Sequence, residues 1–190
     1  MIQAFIALAL ASSALAGINP TPDCTTTFAG ILGAPIFQGA NATVKAFTLN
    51  SKNQIAYEGD GSRPLVVEFQ TCESLNVGLP TDTAVSGRLY VPSQNKCVYI
   101  TNQSKPAAPY YTGLAPCSTT YAQRFGLFFD QNNAIFWTGE SDEEGTILQG
   151  GCGVLGYACQ ADGTPLRGTG GQITIECDGF KPFWLTTKAL

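Results

Sequence analysis

The residues with the clearest chemical use are aromatic and amide side chains gathered mid-chain. Tyr99, Tyr110, Tyr111 and Tyr121 share one stretch with Asn102, Gln103 and Gln123. Aromatic rings stack on the apolar C–H faces of sugars, and amides bond their hydroxyls. Tyr157 with Asp162, and Trp184 with Asp178, repeat the pairing near the end. These residues are the expected glycan contacts. The competing reading gives the same aromatics to strand packing, where they are common.

Hydrolytic chemistry has less to work with. The chain has no histidine, so neither a Ser-His-Asp nor a Cys-His arrangement can form. A zinc site is a poor fit, because there is also no C-x-x-C doublet. Glu68, Glu176 and Asp178 are the carboxylates beside strands that could serve a glycoside hydrolase. All three read more simply as solvated faces. Asp162-Gly163-Thr164 echoes an aspartic-protease triplet, but without a second copy. The acidic run Glu140-Ser141-Asp142-Glu143-Glu144 lacks the alternating oxygen ligands and turn glycine of a calcium loop. A non-enzyme with no metal and no cofactor is the expectation.

Composition narrows the setting. Residues 1–16 read as a signal peptide, with an apolar or small-residue run from Ile2 to Leu15 and an Ala14-Leu15-Ala16 cleavage pattern. No other segment approaches the about 20 apolar residues that span a bilayer. All seven cysteines follow that site, as in an extracellular or cell-wall protein with paired thiols. The odd count leaves one over. Asn41 and Asn102 head glycosylation sequons. The net charge of −4 and the lack of a basic cluster disfavour nucleic acid and anionic membrane as partners. A glycan or glycoprotein is the expected partner.

The elements that must position these residues are strands. Residues 17–44 form an N-terminal arm and first strand region, broken by Pro20 and Pro22. Beyond it, short runs of Val, Ile, Tyr, Phe and Thr alternate with Gly, Asn, Asp, Ser and Pro, as in an all-β sandwich or barrel. The alternation nominates a core of Leu65, Val67, Phe69, Leu89, Val91, Val98, Ile100, Leu114, Phe125, Leu127, Ile135, Ile173 and Ile175.

An internal repeat is visible as well. Ser51-Lys52-Asn53-Gln54-Ile55-Ala56-Tyr57 aligns with Ser93-Gln94-Asn95-Lys96-Cys97-Val98-Tyr99, and each is followed by a run ending in cysteine, Cys72 or Cys117. A third copy opens at Ala134-Ile135-Phe136-Trp137, is interrupted from Thr138 to Gly153, and closes at Cys177. Copies of about 45–86, 87–132 and 133–190 suit a disulfide-stabilised β-trefoil over residues 45–190. One copy cannot bury its apolar face alone, and three can share a core.

The middle copy carries a resemblance. Gly87-Arg88-Leu89, Lys96-Cys97-Val98, Leu114-Ala115-Pro116-Cys117 and Gln123-Arg124-Phe125 together resemble one repeat of a ricin B-type lectin, where a G-x-I strand, a cysteine pair and a Q-x-W motif recur. The resemblance implies a β-trefoil, with disulfides Cys97–Cys117 and Cys159–Cys177. Cys24–Cys72 is then the economical third, leaving Cys152 free, and Cys24–Cys152 competes with it. The family's sugar positions are not kept. Tyr99, Ala115 and Ala122 hold them in the middle copy, Ala161 and Ile175 in the third, Tyr57 and Gln70 in the first. Only Gln123 matches. The expectation is a secreted, non-catalytic, lectin-like protein with an altered sugar site. The alternative is a trefoil protease inhibitor, or another protein-binding module, acting through loops 102–109 or 138–153.

Overall fold

The computed structural model describes residues 23–36, 43–76, 79, 82–105, 107–140, 149, 152–187 and 189. The expected signal peptide, the Asn41 sequon and most of the acidic run lie outside the described residues. Among the described residues, fourteen strands carry the fold. They are β1 (Cys24–Pro35), β2 (Val44–Ala46), β3 (Thr48–Leu49), β4 (Ile55–Ala56), β5 (Val66–Cys72), β6 (Ala84–Val91) and β7 (Lys96–Ile100). Then follow β8 (Tyr110–Ala115), β9 (Phe125–Phe128), β10 (Ala134–Trp137), β11 (Gly156–Ala158), β12 (Thr174–Glu176), β13 (Phe180–Lys181) and β14 (Trp184–Thr186). Among the described residues the only helices are short 3-10 turns. The protein is all-β, and no described helix is long and apolar enough to cross a membrane.

Twelve of the described strands share one sheet, in the order β13-β11-β12-β8-β7-β6-β5-β1-β14, with β2 on β1, β9 on β6 and β10 on β9. β3 and β4 form a separate hairpin. β6 is the branch point. One edge pairs with β5, and the other is divided between β9 and β7. Gly87 makes the branch possible, since it faces both Thr71 and Phe125. A Cβ there would run into the Gln70 backbone oxygen and the Phe69 ring.

The core follows the alternation read from the sequence. Every expected core residue except Leu114 is buried, and Leu114 packs against the cluster half-buried. Its centre is aromatic. Phe47, Tyr157 and Phe183 meet in a mutual triad with ring centroids 5.3 to 5.6 Å apart, a spacing that suits edge-to-face packing. Backbone bonds from Ile135 to Phe183 and from Trp137 to Leu155 draw β10 onto this centre.

Within residues 17–44, β1 is the longest described strand and pairs with β5, β2 and β14. The closing strand of the first copy pairs outside that copy. Ile55 pairs within β3–β4, while β5 pairs with β1, which sets Cys24 directly opposite Cys72.

The disulfides are Cys24–Cys72, Cys97–Cys117 and Cys152–Cys177, with Cys159 free. The expected Cys159–Cys177 pair is therefore corrected, and the reason is register. In β7–β8, Cys97 faces Ala115, and Cys117 follows two residues later. In β11–β12, Tyr157 faces Ile175, and Cys177 again follows two residues later. Tyr157, not Cys159, therefore stands where Cys97 stands. Cys159 lies beyond that ladder, its N–H donating to the Gly179 carbonyl at 3.3 Å. Cys152, on the other side of β11, reaches Cys177 instead.

Candidate functional site

The candidate site is a pocket of about 280 Å³ where β1, β14 and the β9–β10 hairpin meet. Its floor is Leu127 and Ile135, cross-strand partners that are each 1% exposed. Its rim comes from the hairpin turn. Asn132 and Asn133 sit there with φ of 56° and 62°, left-handed positions that asparagine tolerates better than most residues. Both are exposed.

Two aromatic residues complete the pocket. β14 pairs antiparallel with β1, setting Trp184 opposite Gly33. The indole is 6% exposed, and its buried Nε1 has no hydrogen-bond partner among the described residues. A buried donor left unpaired costs about 1–3 kcal/mol. Phe28 comes from β1, where the ladder to β5 slips between Thr26 and Phe28. Such an irregularity re-aims side chains, and Phe28 is left 39% exposed. The result is an apolar hollow with one exposed ring and two rim amides, lined in part by the largely buried Trp184.

Of the residues expected from sequence, Trp184 alone lines this pocket or the larger cleft described below. Tyr110 is fully buried, its ring edge-on to Trp137 at 5.1 Å and its hydroxyl donating to the Lys105 carbonyl at 2.9 Å. It has no face for a ligand. Tyr157 belongs to the core triad, and burial pushes its phenol upward. Gln123 is 2% exposed. Its Oε1 accepts from the Ser118 N–H at 2.8 Å, and its Nε2 donates to the Pro116 carbonyl at 2.9 Å. It clamps the backbone on both sides of Cys117 rather than reaching outward.

The others are scattered. Tyr99 faces Gly113 across β7–β8, its ring lying where a glycine side chain would start. Asn102 closes the following loop, with Nδ2 donating to Pro109 O at 3.2 Å and Oδ1 accepting from Tyr111 N at 3.0 Å. Tyr111 is half-buried. Tyr121 is exposed, and the Arg124 guanidinium sits 5.1 Å from its ring centre. Asp178 is exposed. Asp162 is exposed too, accepting from the Thr164 N–H and hydroxyl at 2.9 and 3.0 Å, bonds that hold its carboxyl below the usual range.

Among the described residues no cluster of three or more His, Cys, Asp or Glu could hold a metal. Glu68, one of the three carboxylates considered for catalysis, accepts from Thr26 at 2.7 Å and from Gln70 at 3.2 Å on the sheet surface. Sequence reasoning missed Phe28, Asn132 and Asn133. The asparagine pair had a signal, since it separates two apolar runs as a hairpin turn does. Phe28 had none, because a strand irregularity is not written in residue types.

Comparison of the chain with models of known protein families, with characterised proteins and with solved structures found no match.

Proposed function

We propose that this protein is a secreted, non-catalytic carbohydrate-binding protein on a β-trefoil of the ricin B type, and that the Trp184 pocket is its sugar site. The observation that carries the reading is a largely apolar hollow that combines the exposed Phe28 ring with two rim amides. A sugar ring brings an apolar face for Phe28 and hydroxyl oxygens for the asparagines. The pocket volume of about 280 Å³ lies at the lower edge of the small-molecule range of about 300–1,000 Å³. That suits one ring rather than a chain.

The trefoil part is supported by the equal offset of Cys117 and Cys177 from their strand pairings. Secretion is supported by the three disulfides together with the expected signal peptide. The site would be an altered one, away from Tyr99, Ala115 and Ala122, where the family's own contacts fall.

The test is binding of the purified protein to a broad panel of immobilised glycans, repeated with Phe28→Ala. At least one neutral glycan should bind, and Phe28→Ala should weaken it about tenfold, near 1.4 kcal/mol, without lowering the unfolding midpoint. An empty panel, or unchanged binding by Phe28→Ala, refutes the proposal. An empty panel with inhibition of a serine or cysteine protease would favour the loop-mediated inhibitor.

A further inference from the structure

A larger cleft of about 570 Å³ lies between the β3–β4 turn and the β6–β7 turn. The two turns are the segments that align in the sequence repeat, and each holds a left-handed asparagine, Asn53 at φ 56° and Asn95 at φ 49°. The β3–β4 turn is fixed from within, since Asn50 Oδ1 accepts from the Lys52 and Gln54 N–H groups at 3.0 Å. Asn53, Ser93 and Gln94 are exposed at the cleft, while Pro64 and the half-exposed Val66 give it an apolar wall.

The charge of this lining is unusual for the molecule. The chain holds 14 acidic and 10 basic residues, yet among the described residues the cleft is lined by Arg63 and by no carboxylate. The other arginines are engaged within the fold. Arg88 Nε donates to Gln70 at 2.9 Å, Arg124 sits against the Tyr121 ring, and the Arg167 guanidinium is 5.7 Å from the centre of the Tyr57 ring. Arg63 makes no hydrogen bond or ion pair among the described residues. A planar guanidinium matches a carboxylate with two parallel hydrogen bonds.

We propose that this cleft is a second saccharide subsite, one that takes a sugar bearing a carboxylate. Arg63 pairs the carboxylate, Asn53 and Gln94 reach ring hydroxyls, and Pro64 with Val66 meets the apolar ring face. The choice of a saccharide rests on the carbohydrate reading above, but the site does not use the Trp184 pocket.

The experiment is calorimetric titration with a galacturonic acid trisaccharide and with its fully methyl-esterified, uncharged form. The proteins are the unaltered chain, Arg63→Gln, Arg63→Lys and Phe28→Ala. The acid form should bind the unaltered chain about tenfold or more tightly than the ester, as expected for a charge-assisted pair. Arg63→Gln should remove that preference, Arg63→Lys should keep part of it, and Phe28→Ala should leave it in place. Equal affinity for acid and ester, or an unchanged preference in Arg63→Gln, overturns the proposal. If neutral glycans bind through Phe28 while the acid preference is absent, the second subsite alone falls. If neither class binds, both readings fall.

Discussion

Trp184→Phe separates a binding role for the indole from a packing role. Trp184 is 6% exposed, so nearly all of its area is buried. The substitution keeps a ring in place but removes the N–H and a few ring atoms. At about 0.8 kcal/mol per buried methylene-sized group, the lost area costs about 1–2 kcal/mol. Removing a buried donor that has no partner returns about 1–3 kcal/mol. The two effects oppose, so stability should stay within about 1 kcal/mol of the unaltered protein, which urea unfolding can follow through the remaining, fully buried Trp137. Binding should behave differently. Trp184 lines the pocket, so the smaller ring of Trp184→Phe should bind the glycan about tenfold more weakly in calorimetry, near 1.4 kcal/mol. A fall in stability of more than about 3 kcal/mol, with affinity unchanged, would refute the reasoning. Trp184 would then be packing.

Other perturbations follow from the same geometry. Gln123→Ala unpairs the Ser118 N–H and the Pro116 carbonyl behind the Cys97–Cys117 bridge, and should lower the unfolding free energy by about 2–4 kcal/mol in urea, without changing glycan specificity. Asn102→Ala should cost about 1–2 kcal/mol, because it releases both ends of the loop. Ser104→Ala removes the same sequon and should leave the unfolding midpoint in place. Burial and the bond to Asp60 at 2.8 Å push the Tyr57 phenol up to about 12. The folded state therefore holds this proton more tightly than the unfolded chain. The contribution is whole below pH 10 and lost as pH rises through 12, so unfolding midpoints should fall across that window, and Tyr57→Phe should flatten the fall.

The core was legible because period-two alternation directly reports which face of a strand is buried. Val67, Phe69, Leu89 and Val91 needed nothing else. Cys97–Cys117 was implied by the family resemblance, and the β7–β8 hairpin brings the two cysteines together. Cys159–Cys177 was misread because spacing alone cannot give register, and a shift of two residues puts Tyr157 in the cysteine's place. Sequence left the aromatics open between glycan contacts and strand packing, because a tyrosine carries the same letters in a core and in a site. Tyr110 and Tyr157 went inside, while Phe28, in a Thr-rich run, stayed outside. The candidate pocket joins β1, the mid-chain β9–β10 hairpin and β14, which are far apart in sequence and brought together by the β1–β14 pairing and the Ile135–Phe183 bridge.

Cys159 offers a reporter group that needs no engineering. It is the single thiol left by three disulfides, half-buried beside β13, with its Sγ donating to the Gly179 carbonyl at 3.4 Å. Burial raises its pKa, so an alkylating reagent should reach the thiolate mainly when β11 and β13 part. The labelling rate of the untouched protein then becomes a clock for that local opening, and one modified peptide should carry the whole signal.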